Sequence, residues 1–166
     1  NKLEISIHNP DKLIIAGTET VLDLTIKNTG IRDQNLIITP DRLNTFPFSE
    51  AFDYIIAEPN QIEVRSHHEK TVKIRVKTLK DISNEGRYDN YLTIKSATEP
   101  ELEIKQIISI PIILKERIFN IQMDIEPEII PSKPTPYQLV IKNRGNQEFV
   151  DLNVEISSEI YSEEFP

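Results

Sequence analysis

The sequence contains no cysteine, and that absence excludes several kinds of chemistry. Without thiols the chain forms no disulfide bonds, no thiolate metal sites and no cysteine nucleophile. Glycine is scarce too, with four residues in 166, and no long segment repeats its apolar residues at the helical period. Glycine-rich phosphate loops and nucleotide-binding βαβ units are therefore excluded.

Long apolar runs are also missing. The longest, Ile107 to Leu114, is interrupted by Ser109 and Pro111, and it falls well short of the roughly 18 to 20 residues that cross a bilayer. We therefore expect no direct membrane insertion. The chain begins at Asn1 without a basic and then apolar leader, so we expect a fragment of a longer protein, with any targeting signal removed or outside the fragment.

A basic excess is absent as well, because the formal net charge is −8. From residue 118 to residue 166 nine acidic residues stand against three basic ones, which gives −6 and leaves −2 for the first 117 residues. No basic stripe interleaved with aromatic residues offsets this sign. A phosphate backbone would be repelled, and we expect no nucleic-acid partner.

Alternation of apolar and polar residues is what the sequence has in abundance. Leucine and isoleucine alternate with polar residues from Leu22 to Ile26, and Val72 to Val76 repeats the pattern against basic residues. Such alternation is typical of antiparallel strands with one buried face. Five further strands are predicted at Leu3 to Ile7, Leu36 to Thr39, Ile62 to Val64, Tyr88 to Lys95 and Leu102 to Leu114.

Seven short strands at this spacing predict an all-β fold, the immunoglobulin-like antiparallel β-sandwich. Tyr88 stands near the start of the sixth strand, where such sandwiches often place a tyrosine whose hydroxyl bonds back to the backbone. The alternative for Tyr88 is an ordinary aromatic residue at the rim. The predicted core consists of Leu24, Ile26, Val72, Ile74, Leu92 and Ile94.

One motif occurs twice. The stretch LDLTIKNTG at residues 22–30 returns as YQLVIKNRG at residues 137–145, and LEISI at residues 3–7 is echoed by FNIQM at residues 119–123. Residues 150–154 correspond to the third strand of the first copy. We predict one complete sandwich over residues 1–117 and the N-terminal part of a second over residues 118–166. The near absence of a linker indicates a stiff junction.

Each copy of the motif ends in a glycine that follows an asparagine by two residues. Gly30 and Gly145 are therefore predicted to be structural positions, with either positive φ or a close approach of neighbouring atoms at a bend.

These motifs suggest a family. The run Gly17 to Thr20, the LDLTIKNTG strand, the strand-turn-strand at Ser66 to Val76 and the run Gly86 to Ile94 together resemble prokaryotic tandem Ig-like modules. The cell-adhesion-related bacterial (CARDB) type and the alpha-galactosidase-associated type are examples. The resemblance implies a spacer or accessory domain of a secreted or cell-surface protein. It implies no catalytic residue and no cofactor, and its expected partners are other modules of the parent protein.

Two clusters of polar residues are candidate metal sites. His67 and His68 are adjacent, so an extended chain points them to opposite faces, and a solvated turn is the favoured interpretation. Asp124, Glu126 and Glu128 alternate and could aim three carboxylates at Ca²⁺. A solvated acidic face is favoured over calcium binding, so no metal is predicted.

Aromatic residues gather in the longest irregular segment, Asp41 to Asp53, and just beyond it. They could form a contact surface for a sugar or a protein, although capping of the core is the favoured interpretation. The residues concerned are Phe46, Phe48, Phe52 and Tyr54.

The last strand of the first sandwich is apolar on both faces, which indicates that something covers its outer side. A half-sandwich over residues 118–166 would also expose its inner face. We therefore expect either a homodimer formed through residues 118–166 and strand 107–114, or residues 118–166 folded back on that strand of the same chain.

For function, the sequence favours a non-catalytic structural or spacer module of a larger, surface or secreted protein. The alternative is a recognition module that binds a glycan or a peptide through residues 41–54 or through an open sheet edge. An enzyme is disfavoured because no nucleophile stands with a base and no carboxylate pair stands out.

Overall fold

The computed structural model describes residues 2–41, 51–125 and 137–155. Within these ranges the chain forms strands joined by short turns, and it has no helix long and apolar enough to span a membrane. The elements are β1 Leu3–Ile7, β2 Ile14–Ile15, β3 Glu19–Asn28, β4 Gln34–Pro40, β5 Phe52–Glu58, β6 Gln61–Val64, β7 Glu69–Thr78, β8 Gly86–Ser96, β9 Glu103–Ile113, a 3₁₀ turn at Lys115–Arg117, β10 Phe119–Ile125 and β11 Tyr137–Asn143.

Strands β1 to β9 form two sheets that pack face to face. Their orders are β1-β3-β7-β5 and β2-β9-β8-β4-β6, and the two-stranded β10–β11 sheet follows them in the chain. Neighbouring strands are antiparallel except β2 and β9, which are parallel. The predicted all-β antiparallel architecture is confirmed.

The core lies between the two sheets. Alternation places every second side chain of a strand inside, and all six predicted core residues are at most 1% exposed. Phe52, Leu36, Ile38, Ile108 and Ile110 are as deeply buried, so both sheets contribute large apolar side chains.

Two of the nine strands were not predicted from the sequence. Strand β2 is two residues long and exists because Ile14 and Ile15 pair with the end of β9. Strand β5 carries an irregularity between Phe52 and Tyr54, where the pairing with β7 shifts. Phe52 faces inward before the shift, whereas Ile55 and Ala57 face inward after it. Buried residues therefore do not stand at every second position along the whole strand, and the sequence shows no regular alternation there.

The recurring asparagine closes a bend in both copies of the motif. Asn28 Oδ1 accepts the Gly30 amide at 2.9 Å, and its Nδ2 donates to the Arg32 carbonyl at 2.7 Å. Asn143 makes the same two bonds, to the Gly145 amide at 2.9 Å and to the Gln147 carbonyl at 2.6 Å. The shared Asn-x-Gly sequence therefore forms the same bend in both copies, and hydrogen bonds of the asparagine side chain close it.

The prediction of positive φ at Gly30 and Gly145 is wrong, since neither residue has it. The close approach, which was the alternative, is what the structure shows. A Cβ on Gly30 would lie 3.2 Å from Asn28 Oδ1, and one on Gly145 would lie 3.1 Å from Ile15 Cγ1. The asparagine side chain, and not a left-handed glycine, closes the turn.

Strands β10 and β11 repeat the pairing of β1 and β3. Ile121 lies opposite Ile141 and Met123 opposite Leu139, as Ile5 lies opposite Ile26 and Ile7 opposite Leu24. The predicted third strand at residues 150–154 is not formed. Its counterpart β4 is held by pairing with β6 and β8, and the described residues after β11 supply no such partners.

Tyr88 makes the bond expected of a tyrosine corner, because its hydroxyl donates to the backbone carbonyl of Asn84. Its ring packs against the core. We expect Tyr88→Phe to lower the free energy of unfolding by about 1 kcal/mol, the usual value of one such bond. Urea denaturation will measure this, with Tyr137→Phe as a control at a tyrosine that is 56% exposed. Equal effects at the two sites would remove the special role of Tyr88.

Candidate functional site

The aromatic surface that the sequence suggested is not a free surface in its described part. Phe52 and Tyr54 belong to strand β5 and not to an irregular loop, and Phe52 is 1% exposed. Phe46 and Phe48 lie outside the described residues. The burial of Phe52 agrees with capping of the core, which was the favoured interpretation.

Tyr54 is engaged in a polar cluster on the outer face of its sheet. Its hydroxyl donates to the Glu19 carboxylate, which also binds Arg75 with Nη2 to Oε2 at 2.9 Å. Arg75 reaches Glu58 at 3.3 Å as well. The hydrogen bonds from Arg75 and then Tyr54 hold the pKa of Glu19 below its ordinary value, and the bond to Glu19 raises the pKa of Tyr54. The cluster ties β5 to β7 and β3 and leaves no free hydroxyl for a ligand.

The candidate metal ligands do not come together in the described part of the chain. Asp124 is exposed near the end of β10, and Glu126 and Glu128 lie outside the described residues. His67 has positive φ of 59° in the turn between β6 and β7, and His68 Nδ1 lies 2.8 Å from the Ser66 carbonyl oxygen. No group of three or more histidine or acidic side chains that could hold a metal occurs within residues 2–41, 51–125 and 137–155.

The structure instead places an unpredicted set of contacts where the first sandwich meets the β10–β11 hairpin. Ile15, Ile113 and Ile118 form a second buried cluster, which we call the junction cluster, and Leu13 and Phe119 pack against it. Ile113 is fully buried there, whereas Ile107 on the same strand is 39% exposed. On the outer face of the doubly apolar strand β9, the junction cluster therefore covers the end at Ile113 and leaves Ile107 partly exposed.

The bend after β11 sits directly on this cluster. Gly145 forms a parallel bridge with Leu13, and its Cα is so close to Ile15 that a Cβ would meet that side chain at 3.1 Å. Farther along, the ring of Phe149 packs on Phe119 with centroids 5.0 Å apart. The lack of a side chain at Gly145 lets the hairpin approach the sandwich.

Polar groups also join the hairpin to the sandwich. Glu85, in the turn before β8, places Oε1 3.6 Å from Arg117 Nη1 and 3.6 Å from Arg144 Nη2. The Arg144 amide donates to the Ile118 carbonyl at 2.8 Å. One carboxylate thereby bridges the sandwich, the 3₁₀ turn and the hairpin. Such a site can hold two bodies in a set orientation, and it contains no nucleophile paired with a base.

Glu85, Arg117 and Arg144 carried no signal in the sequence. They stand in three different elements with no shared spacing, and only the fold brings them together. Gly145 did carry a signal, because the sequence suggested a close approach at its bend, and a Cβ there would lie 3.1 Å from Ile15. The sequence also indicated a short connection before β10, which is the 3₁₀ turn Lys115–Arg117.

Comparison with known proteins identifies the fold. No protein-family model matches the sequence, and no match was found among curated proteins. Among solved structures, a FixG-related protein from Vibrio parahaemolyticus matches with a TM-score of 0.53 and 11% identity, over 69% of this chain and 99% of that one.

Two structures of Escherichia coli alpha-2-macroglobulin are also similar. The form activated by porcine elastase matches with a TM-score of 0.54 and 16% identity, over 75% of this chain and 10% of that chain. A native form that spans domain MG7 to the C-terminus matches with a TM-score of 0.51 and 17% identity, over 73% and 17%. Together with the sheet order, these likenesses define an immunoglobulin-like antiparallel β-sandwich.

Proposed function

We propose that the protein is a non-catalytic structural module of a larger multi-domain protein. In this proposal the sandwich of residues 1–117 holds a second immunoglobulin-like module, which begins at residue 118, in a set orientation. The observation that carries the proposal is the docking of the Gly145 bend on Ile15 and Leu13.

The repeated hairpin supports the modular part of the proposal. Strands β10 and β11 copy the register of β1 and β3, and both bends are closed by the same asparagine bonds. In Escherichia coli alpha-2-macroglobulin the similar region is 10% of a long chain, so this fold there is one part of a larger protein. A protein built from such units needs contacts that set the angle between neighbours.

The junction between the sandwich and the hairpin is stiff in this proposal because the connection is short and because it buries apolar side chains. Only the 3₁₀ turn Lys115–Arg117 separates β9 from the residues that lead into β10. Ile118, directly after the turn, is 6% exposed and belongs to the junction cluster. A free hinge would expose these apolar groups to water, so bending at this point is opposed by the hydrophobic effect.

The proposal extends to the family of this module and to the location of its parent protein. The motifs from Gly17 to Thr20 and from Gly86 to Ile94 support membership in the CARDB-like group of modules. With it comes an extracellular or cell-surface location. Exposure of the full-length parent protein to protease added to intact cells would test the location, and full protection would contradict it.

Pulsed electron resonance distances will test the spacer role. The sequence has no cysteine, so spin labels on Glu63→Cys and Gln138→Cys attach only to the two chosen exposed positions. We expect one narrow distance distribution between the sandwich and the hairpin. Gly145→Val should broaden it, because the new side chain meets Ile15 and displaces the bend.

The matched control is Gly30→Val, which alters the equivalent bend inside the first sandwich, where the neighbours are Asn28 and Lys2. We expect it to lower the melting temperature while the distance distribution keeps its width. Melting curves of both variants will set a temperature at which each is folded. A broad distribution in the unmodified protein, or no change in Gly145→Val, would refute a spacer with a set orientation.

A further inference from the structure

We propose that two acidic residues of β3, Glu19 and Asp23, make the chain select β3, and not the equivalent strand β11, as the partner of β7 when it folds. Competition between the two strands arises because β3 ends in LTIKN and β11 ends in LVIKN. This inference goes beyond the spacer role, since it concerns which strands pair and not how neighbouring modules are oriented.

Strands β3 and β11 are alike in the apolar residues near their ends. Leu24 and Ile26 of β3 face the core, and the equivalent residues of β11 are Leu139 and Ile141. Each strand also pairs with its hairpin partner in the same register. Chains with repeated modules are prone to misassembly and strand exchange between those modules. The apolar pattern at these positions therefore does not distinguish β3 from β11 as a partner for β7.

The outward side chains do distinguish the two strands. Strand β7 carries Lys73, Arg75 and Lys77 on the outer face of its sheet. In its pairing with β3, Asp23 lies opposite Lys73, and Glu19 lies opposite Lys77. The Asp23 carboxylate accepts a hydrogen bond from Lys73, and Glu19 Oε2 lies 2.9 Å from Arg75 Nη2. Both acidic residues of β3 thus bind basic residues of β7.

Strand β11 lacks these acidic residues. The residue equivalent to Asp23 is Gln138, and the residue equivalent to Glu19 is Pro134. No acidic residue occurs anywhere in Tyr137–Asn143. Opposite charges across two strands stabilise their pairing, so β7 gains these contacts only from β3. The selection is thus a difference between two partners, of which one has the complementary charges.

Disulfide trapping will show which strand lies beside β7, because the chain has no cysteine of its own. Thr25 lies directly opposite Thr71, and their hydroxyl oxygens are 3.3 Å apart, so cysteines at these two positions report β3 beside β7. Val140 is the equivalent of Thr25 on β11, so cysteines at Val140 and Thr71 report β11 beside β7. Each full chain will be refolded from guanidinium under oxidising conditions, and mass spectrometry will quantify the bonds.

The main variant moves acidic charge from β3 to β11 by combining Glu19→Gln, Asp23→Gln and Gln138→Asp. Because exposed ion pairs contribute little each, we expect the β11–β7 disulfide to rise by about threefold and the β3–β7 disulfide to fall. Bonds within one chain and bonds between two chains both count, since each of them places β11 beside β7.

Gln138→Asp alone is a second variant, which leaves every residue of the sandwich unchanged and so does not depend on the stability of an altered β3. We expect a smaller rise of the β11–β7 disulfide. Glu103→Gln is the matched control, because it changes the net charge by the same single unit as the main variant. It removes an ion pair of 2.9 Å with Lys95, between β8 and β9, and we expect it to leave both disulfides unchanged.

Two results would overturn the proposal. One is an unchanged β11–β7 disulfide in both variants, which would mean that the charges do not select the partner of β7. The other is an equal rise in Glu103→Gln, which would mean that the loss of any exposed ion pair has this effect. The distance measurement on the folded, unmodified sandwich and hairpin does not depend on strand selection, so the spacer role and this proposal can fail separately.

Discussion

Replacing Ile74 by alanine is expected to lower the free energy of unfolding by about 2 to 5 kcal/mol, as truncations at packed core sites do. Ile74 lies in the middle of β7, is fully buried, and is flanked by Leu22 on β3 and Ala57 on β5. The lost groups leave a cavity between two sheets, and the close-packed neighbours can fill it only in part. Guanidinium denaturation followed by circular dichroism will measure the loss.

The same chemical change at Ile56 is the matched control. Ile56 lies on the neighbouring strand β5 and points outward, and it is 40% exposed. Truncation there removes little buried surface, so we expect a loss below about 1 kcal/mol, in the range of ordinary surface substitutions. Similar losses at Ile74 and Ile56 would show that the inward and outward faces of this sheet are assigned incorrectly.

Asn28→Ala is expected to lower the free energy of unfolding by about 2 to 4 kcal/mol, because it leaves one buried and two partly buried backbone groups without their partner. The fully buried Asn28 accepts the Gly30 amide, and its Nδ2 donates to the carbonyls of Arg32 and Val64 at 2.7 and 3.0 Å. The Val64 bond ties the bend to strand β6 of the opposite sheet. Alanine can make none of these bonds.

Asn143→Ala tests whether burial or the bend itself produces this effect. Asn143 closes the equivalent bend, but it is exposed, and within the described part of the chain its side chain bonds to Gly145 and Gln147 alone. Water can replace its bonds, so we expect a loss of about 1 kcal/mol or less. A loss equal to that of Asn28→Ala would show that the bend, and not the tie to the opposite sheet, carries the stabilisation.

The strands with regular alternation were predictable from the sequence. Strands β3 and β7 could be recognised because their buried residues stand at every second position, a local property. Strand β5 could not, since the shift beside Phe52 changes the parity of its inward residues. Strand β2 is too short for any pattern and depends on β9. The predicted strand at residues 150–154 matched β4 in sequence, but the described residues after β11 supply no partners like those that hold β4 in place.

The sequence indicated that the asparagine and glycine of the repeated bend have a structural role. It did not show which interaction closes the bend. The sequence suggested either a left-handed glycine or a close approach at the bend, and the structure shows the close approach, with the side chain of Asn28 closing the bend by bonding to the Gly30 amide. Both explanations demand the same two residue types at the same spacing. Only the backbone angles and the hydrogen bonds distinguish them.

The sequence by itself determined the fold class, the six core residues and the two copies of the repeated strand motif, because alternation and the repeat are local along the chain. Only the tertiary structure decided how the hairpin meets the sandwich. Glu85 joins Arg117 and Arg144, and Gly145 rests on Ile15, through contacts between residues far apart in the chain. Such contacts depend on the positions of several strands at once, and the order of residues in one strand carries no record of them.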